Sequence, residues 1–422
     1  MNKHCLALAM LPVLAACGRT GFGPVDDGFA DGAADDGEVP VRPDQPRPDE
    51  PDEPPPPPPV DMEGCGNGRV EPGELCYLEM EIYPSRIDPC SIDVGDLDGD
   101  GHVDVAVPNS DFDHIESADN FASVLYGDGQ GRLSSPNGFL AGGDIPVGLA
   151  IADFDVDGID DMVVTNLESA AATVLMGMGA RQFGPPLPVG MAEEPTIADA
   201  GDLDGDGFPD LAVTTRGNSA LMVALGNGDG SFAPAQEYMR AMSPWDVDFV
   251  DLDGDGALDV VVTDRDYSDL EVWYGDGQGN LIPGDPLRTG DYPLGLTPTD
   301  LNGDGLTDLV VAHFSGATVM LNEGGGEFWQ SPEIPAGVDP REVAVADFDS
   351  NGTPDLAILN SGSQDITFAV ETDYIDFVYA DTMNVGTLPS GIRAADFNGD
   401  GVPDLAVSNQ LDNNVGLIIS NP

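Results

Sequence analysis

Residues Asp202-Leu203-Asp204-Gly205-Asp206-Gly207-Phe208-Pro209-Asp210 carry acids at positions one, three, five and nine, with glycine at position six. Glycine at that position permits a tight turn. A chain that folds back there brings four side-chain oxygens and the carbonyl of Phe208 around one point. Hard oxygen ligands of this kind suit Ca2+. The stretch therefore predicts a calcium-binding loop.

The nine-residue pattern occurs seven times, at successive spacings of 57, 49, 49, 49, 47 and 49 residues. Periods of about 40–50 residues are typical of propeller blades. Seven units that close on themselves form a ring, so the sequence predicts an all-β, seven-bladed β-propeller. The copies begin at Asp96, Asp153, Asp202, Asp251, Asp300, Asp347 and Asp396.

The residues around the loops exclude an EF-hand, which needs a bidentate Glu at position twelve and flanking helices. Position twelve is β-branched and apolar in every copy, which favours a strand: Val107, Val164, Val213, Val262, Val311, Ile358 and Val407. We therefore expect each loop to join two strands. The large apolar residue at position two is predicted to pin the loop against its own blade. A proline seven residues ahead of each loop is predicted to open a strand.

The predicted ligands are positions one, three, five and nine through side chains and position seven through its carbonyl. Blade two has Val156 where the other loops mostly have glycine, and its ninth position is Asp161. We predict up to seven structural Ca2+ ions, held by Asp96, Asp98, Asp100, His102, Asp104, Asp153, Asp155, Asp157, Ile159, Asp161, Asp202, Asp204, Asp206, Phe208, Asp210, Asp251, Asp253, Asp255, Ala257, Asp259, Asp300, Asn302, Asp304, Leu306, Asp308, Asp347, Asp349, Asn351, Thr353, Asp355, Asp396, Asn398, Asp400, Val402 and Asp404.

The chain resembles the FG-GAP/VCBS repeats of bacterial surface proteins and is similar to the calcium-bearing blades of the integrin α-subunit head. The resemblance covers about residues 74–422 and is carried by loop, proline, strand and glycine-rich turn recurring together, as in residues 198–207 followed by 223–232. It implies a seven-bladed propeller with Ca2+ in the loop between the first two strands of each blade. It implies no single activity.

The N-terminal region resembles that of a bacterial lipoprotein. Residues 1–16 are predicted to be a signal peptide. The sequence Leu14-Ala15-Ala16-Cys17 resembles a lipobox, which implies acylation of Cys17. A plain secretory signal that carries a cysteine is the alternative. Residues 17–62, rich in Asp, Gly and Pro, are predicted to be a disordered spacer; a PxxP-type ligand is the other interpretation. We expect a lipid-anchored envelope protein, at the outer membrane or cell surface.

Residues 63–84 are predicted to contain a cysteine-bounded motif and a ring-closing strand, ahead of the propeller at 85–422. In an oxidising compartment we expect a Cys65–Cys76 bridge and a buried free thiol at Cys90, with a Cys76–Cys90 bridge as the alternative. The last repeat stops after its third strand, Val415–Ile419. The segment Leu75–Tyr83 is available to pair with it and lock the seventh blade.

The charge of the chain bears on its partners. The sequence has 77 acidic and 14 basic residues, a formal net charge of −63, so nucleic acid is excluded as an expected partner. The charge favours a soluble monomer; an acidic docking face for a cationic partner is the alternative. No HExxH, GxSxG or P-loop motif is present. The glycine-rich turns are predicted to be hairpins because no helix pattern follows them, and we do not expect an enzyme.

The face opposite the calcium loops is the expected partner surface, by resemblance to integrin heads. The first repeat carries an insertion within Asn109–Phe121, although ordinary loop variation also accounts for such differences. The hypothesis is an adhesion or protein-interaction module; a carbohydrate-binding or polysaccharide-processing propeller is the alternative, and a structural envelope protein without a dedicated ligand is a third. The candidate contact residues are Asp111, His114, Arg216, Trp245, Arg265, Tyr267, His313 and Phe314.

Overall fold

The strands are arranged in seven antiparallel sheets. The structure is a computed structural model that describes residues 75–110, 120–239, 243–372 and 375–421. Within these ranges the regular elements are all strands, and four or five of them form each sheet. No helix in the described ranges is long and apolar enough to cross a membrane. The predicted all-β, seven-bladed β-propeller is confirmed.

The strands follow one another in sequence order, from the centre of the ring outward. A single closing strand, β1 (Glu81–Pro84), comes first. Blades one to three contain β2 (Asp93–Gly95), β3 (Asp104–Asn109), β4 (Phe121–Leu125), β5 (Asn137–Leu140); β6 (Pro146–Ala152), β7 (Asp161–Asn166), β8 (Ala171–Leu175), β9 (Leu187–Gly190); and β10 (Pro195–Gly201), β11 (Asp210–Thr215), β12 (Ala220–Ala224), β13 (Gln236–Tyr238).

The last four blades repeat this order, with a small additional strand in two of them. They contain β14 (Pro244–Val250), β15 (Asp259–Asp264), β16 (Asp269–Gly275), β17 (Leu281–Pro283), β18 (Leu287–Arg288); β19 (Leu296–Thr299), β20 (Asp308–His313), β21 (Gly316–Asn322), β22 (Phe328–Gln330), β23 (Ile334–Pro335); β24 (Pro340–Ala346), β25 (Asp355–Asn360), β26 (Asp365–Glu371), β27 (Phe377–Asn384); and β28 (Pro389–Ala395), β29 (Asp404–Asn409), β30 (Asn414–Ile418).

The ring is closed by the N-terminal strand. β1 pairs antiparallel with β30, with Glu81 opposite Leu417 and Tyr83 opposite Val415. The innermost strands also contact one another in succession, including β2 of blade one against β28 of blade seven. The predicted closure of the last blade is therefore confirmed, with β1 shorter than the Leu75–Tyr83 segment expected to supply it.

The apolar core is divided among the seven junctions between blades. Each junction holds one cluster of buried side chains drawn from two adjacent blades, and each cluster includes the apolar residue at loop position two. Leu203, for example, packs with Val223 of its own blade and with Val247 and Val260 of the next. This residue therefore packs against its own blade, as predicted, and its side chain also reaches the core between the two blades.

The prolines ahead of the loops largely behave as predicted. Five of them are the first residue of an innermost strand: Pro146, Pro195, Pro244, Pro340 and Pro389. In each of these five strands the pairing register shifts directly after the proline. Pro293 lies before its strand, which begins at Leu296. A strand's first position suits proline because no ladder donor is lost there.

Carboxylates on the innermost strands connect neighbouring blades. Asp199 accepts a hydrogen bond from the amide of Phe249 in the next blade (2.8 Å), and Asp246 accepts one from Leu296 (2.8 Å). Equivalent bonds join Asp93 to Ile151 (3.1 Å) and Glu342 to Ile392 (2.8 Å). These contacts were not predicted from the sequence. The signal for them is an acid three or five residues before a loop, on a strand that is otherwise apolar.

Candidate metal sites and the central channel

The nine-residue loops all lie at one end of the ring, which we call the loop face. Each loop joins the first and second strands of its blade, as the sequence predicts. The ninth residue begins the second strand and is buried in every copy. Its Oδ2 accepts a hydrogen bond from the amide of loop position two, at 2.8–3.0 Å in all seven blades. The ninth residue therefore closes the loop.

The same carboxylate also ties the loop to the third strand. Its Oδ1 accepts from a backbone amide at the end of that strand, at 2.6–3.0 Å in all seven blades. In blade three these two donors are Leu203 and Gly226, both bonded to Asp210. Each carboxylate oxygen retains a second lone pair. Position nine can thus brace the loop and still ligate a cation.

The side chains of the remaining loop acids accept hydrogen bonds from backbone amides of the same loop. The first aspartate accepts from the amide of position six at 2.8–3.1 Å. Position five accepts from the amide of position seven at 2.7–3.0 Å. The repeated geometry shows that the seven loops are copies of one structure, including the blades where asparagine replaces one acid.

The acidic oxygens converge as a hard cation requires. In blade one, oxygens of Asp96, Asp98 and Asp104 lie within 4.8 Å of one another, and blade two contains the equivalent group. In blades three and four the oxygens that lie this close belong to positions one, three and five. Burial, assisted by the charges of Asp98 and Asp100, raises the pKa of Asp104 to about 7, although the hydrogen bonds from backbone amides oppose the shift. Uncompensated like charges at such distances repel strongly. The donor set fits a divalent cation with oxygen ligands.

Two further features of blades one and two lie outside the common pattern. In blade two, Val156 has a φ of 58° where Gly99 of blade one has 75°, so a β-branched residue adopts a conformation that favours glycine. Asp161 still bonds the amide of Phe154, which confirms its place as position nine. In blade one, Arg181 of the neighbouring blade lies 2.9 Å from Asp98. This cation beside a predicted ligand was not foreseen from the sequence.

The other end of the ring, which we call the entry face, carries the turns between second and third strands. Tyr267 and Phe314 are exposed there, at 52% and 55% of their surface. Arg216 is half-exposed and pairs with Glu194 at 2.7 Å. Phe314 packs edge-on against Tyr292, with 6.4 Å between ring centroids. These aromatic side chains are available to a partner.

Two other candidate contact residues are buried, and Trp245 is half-buried beside one of them. His313 is completely buried, with Nε2 2.8 Å from Thr318 Oγ1. Its predicted surface role is therefore wrong; the pattern did not reveal that this histidine ends a buried strand. Arg265 is buried with its guanidinium 4.9 Å from the Trp245 ring centroid. Asp111 and His114 lie outside the described residues.

The cysteines differ from expectation at one position. Cys76 is disulfide-bonded, but its predicted partner Cys65 lies outside the described residues, so that pairing stays a prediction. Cys90 is also disulfide-bonded, and the expected free thiol there is wrong. Cys17 also lies outside the described residues.

The innermost strands surround a central cavity of about 430 Å3. It is lined on several sides by charged residues, among them Asp199, Asp246, Asp248, Glu342 and Arg393. Arg393 donates to Asp93 (3.2 Å) and to Glu342. Because the lining includes the first residues of the innermost strands, such as Trp245, the cavity lies toward the entry face. This cavity was not predicted from the sequence.

Comparison with repeat families agrees with the loop geometry. An FG-GAP-like repeat matches three overlapping segments, residues 202–262, 251–311 and 300–358, and an FG-GAP repeat matches residues 389–418. The chain carries FG-GAP repeats. Such repeats are often calcium-binding. The FG-GAP propeller fold is in general consistent with a protein-interaction module. A search of curated proteins gives no significant match.

Solved structures similar to this FG-GAP propeller have varied titles. An Agrocybe aegerita lectin that recognises non-reducing terminal N-acetylglucosamine is 17% identical, with a TM-score of 0.51 over 78% of this chain and 86% of the lectin. Virginiamycin B lyase from Staphylococcus aureus is 12% identical (TM-score 0.54; 81% and 98%). A periplasmic gluconolactonase from Pseudomonas aeruginosa is 15% identical (TM-score 0.52; 71% and 86%). At these identities the likeness concerns the fold alone.

Proposed function

We propose that this FG-GAP propeller is a non-enzymatic, calcium-stabilised interaction module, held to the cell envelope by a lipid and used for adhesion or protein binding. The observation that carries the proposal is the division of the ring into two ends. Seven copies of one acidic loop occupy the loop face, whereas exposed aromatic side chains occupy the entry face. Metal binding and partner binding would then use separate surfaces.

The proposed role of Ca2+ is structural. Positions one, three, five and nine of each loop would hold the ion, assisted by the position-seven carbonyl. Its charge would offset the mutual repulsion of the loop acids, and the ion would connect the loop to the second strand that position nine begins. Binding to the folded state alone stabilises it by about 2.7 kcal/mol per site at a hundredfold excess over Kd.

The proposed partner surface is the aromatic part of the entry face. Aromatic side chains are frequent anchors of protein interfaces, and Tyr267, Tyr292 and Phe314 are 52%, 42% and 55% exposed. A structural envelope protein without a dedicated ligand would not need them. Because one of the similar folds is a lectin, carbohydrate binding is the alternative function for this propeller. A glycan array tests it separately.

Proximity labelling of the intact anchored protein in its own cells tests this surface. The variant Tyr292→Ser/Phe314→Ser should lose the specifically labelled proteins that the wild type captures. The control Tyr379→Ser changes an exposed tyrosine on β27, the outermost strand of blade six. An identical labelling pattern in the wild type and the double variant would contradict the proposed surface.

The lipid anchor is tested independently through Cys17. The Cys17→Ala variant should fail to incorporate a labelled fatty acid and should leave the membrane fraction. Labelling that persists in this variant would contradict acylation at Cys17. Fractionation of inner and outer membranes of the wild type then assigns the compartment.

A further inference from the structure

Arg181 of blade two contacts the acidic loop of blade one. Its Nε donates to Asp98 Oδ2 at 2.9 Å, and Asp98 is position three of that loop. The Asp98 side chain is only 5% exposed, whereas that of Arg181 is 48% exposed. Among the ion pairs between described residues, this one alone involves a predicted calcium ligand. Blade one therefore has a positive charge of the protein itself beside the acids that would bind Ca2+.

The place of Arg181 in the fold explains this contact. Arg181 lies in the turn that follows β8, and the equivalent residues of blades one and four are Gly131 and Gly279. A Cβ on Gly131 would lie 3.3 Å from Asn398 Cβ, and a Cβ on Gly279 would lie 3.4 Å from Asp204 Cβ. Asn398 and Asp204 are position three of the preceding blade in the ring. A side chain at this point of the turn is therefore directed to position three of the neighbouring loop.

The backbone of the Arg181 turn adopts a conformation that glycine adopts in the other blades. Gly131 and Gly279 have φ angles of 77° and 82°, and Arg181 has 65°. The residue before it, Ala180, has a φ of 50°, and its amide donates to the Asp98 carbonyl at 3.2 Å. This region is disfavoured for residues other than glycine, and such strain is concentrated at functional sites. Two strained residues thus hold the guanidinium at Asp98.

The guanidinium is also held from a second side. It lies 4.7 Å from the ring centroid of Tyr126, which is buried at the junction between blades one and two. Cation–π contacts of this kind are attractive. Both carboxylate oxygens of Asp98 are engaged, because Oδ1 accepts from the Asp100 amide at 3.2 Å while Oδ2 accepts from Arg181. A cation at this loop would share Asp98 with a guanidinium that is already in place.

We propose that Arg181 competes with Ca2+ for Asp98 and so lowers the calcium affinity of the blade-one loop. The inference rests on the calcium role proposed above. A positive charge beside a ligand repels a divalent cation, and the charge-assisted bond to Arg181 is weakened when Asp98 ligates the ion. The blade-one loop would respond at Ca2+ concentrations that already fill the four-acid loops of blades three and four. Its filling would also loosen a contact between blades one and two.

The ring of His102 provides a local reporter for this loop. His102 is position seven, where the backbone carbonyl and not the ring is the predicted ligand. The chain has four histidines, so the His102 ring signal in an NMR spectrum can be assigned by comparison with His102→Gln. The signal is followed while the full-length protein is titrated with Ca2+ at constant pH. We expect Arg181→Gln to reach its midpoint at a Ca2+ concentration at least about tenfold lower than the wild type does.

Two further variants separate the charge of Arg181 from other effects. Arg181→Gly introduces the residue that blades one and four have at this position and should shift the midpoint as Arg181→Gln does. Arg216→Gln is the matched control, because it removes the same charge from a half-exposed ion pair on the entry face. It should titrate as the wild type does. Thermal unfolding checks that all variants are folded.

Four outcomes would overturn the proposal. An unchanged midpoint in Arg181→Gln would show that Arg181 does not compete, and a midpoint at higher Ca2+ would show that it positions Asp98 for the ion. A shift in Arg181→Gly alone would assign the effect to backbone strain. A His102 signal that ignores Ca2+ while calorimetry still detects calcium binding would contradict this proposal only. If the protein binds no Ca2+ at all, the proposed calcium role fails with it.

Discussion

At the scale of single residues, position nine of each loop has two separable roles. In blade three, Asp210 bonds two buried backbone amides, whereas Asp206 is exposed and bonds only the amide of Phe208. Asp210 therefore stabilises the fold with or without a metal ion. Asp206 is needed mainly to bind the proposed ion.

The Asp210→Ala variant should be less stable than the wild type in EGTA as well as in Ca2+. It leaves the amides of Leu203 and Gly226 without an acceptor, at about 1–3 kcal/mol each, so we expect a loss of about 2–6 kcal/mol. Denaturant unfolding in both solutions measures it. Asp206→Ala is the control and should lose stability in Ca2+ only. If both variants lose stability in Ca2+ alone, position nine acts through the metal and not through the amides.

A second residue-scale prediction concerns pH. Burial raises the pKa of Asp246 to about 7, with Glu342 adding to the effect and the Leu296 amide and Arg393 opposing it. A folded pKa above the unfolded value of 3.8 stabilises the fold at low pH, and this contribution is lost as pH rises through about 7. Asp199, with a pKa raised to about 6 by burial, and Asp248 contribute with the same sign, and Asp93 is the remaining acid of this group.

Thermal unfolding of the wild type and Asp246→Asn, at fixed Ca2+ between about pH 5 and 8, tests this linkage. Relative to the wild type, the variant should gain stability as pH rises, because it lacks the group that deprotonates. Parallel curves for the two proteins would show that Asp246 does not titrate in this range.

The sequence predicted the loops well because their ligands are close together in the chain. Nine consecutive residues determine which oxygens can meet, and the structure repeats one hydrogen-bond pattern in every copy. The contacts of Asp199 and Asp246 depend instead on a strand about fifty residues away, as the interval between Asp199 and Phe249 shows. Such features require the packed ring.

At the scale of elements, the contribution of the closing strand can be tested most directly. β1 supplies the outer strand of blade seven, and the segment before it places Tyr77 against Phe348 and Phe368. The Tyr77 and Phe368 rings are stacked at 5.5 Å. The sequence anticipated the strand from the missing fourth strand of the last repeat, but it did not anticipate this aromatic cluster between blades six and seven.

A protein that begins at Ser85 should melt at a lower temperature than one that begins at Glu63. The shorter protein loses both β1 and the partly buried Tyr77, so it lacks the pairing with β30 and the aromatic contacts with Phe348 and Phe368. Calorimetry of the two proteins in Ca2+ measures the difference. Equal melting temperatures would mean that the strand pairing does not stabilise the ring.

At the scale of the whole molecule, closure makes every blade depend on two neighbours. The apolar clusters lie between blades, and carboxylate and hydroxyl groups add further links, such as Thr214 Oγ1 to the Trp245 carbonyl at 3.0 Å. The loops therefore act on a ring that is already joined elsewhere. Seven divalent ions would neutralise less than a quarter of the net charge of −63, so their proposed effect is local to the loops.

Thermal unfolding of the full-length protein in Ca2+ and in EGTA tests most directly whether the seven acidic loops are stabilising calcium sites. We predict a substantially lower melting temperature in EGTA, restored by excess Ca2+, because each occupied site contributes about 2.7 kcal/mol at a hundredfold excess over Kd. The same melting temperature in both solutions would contradict the account.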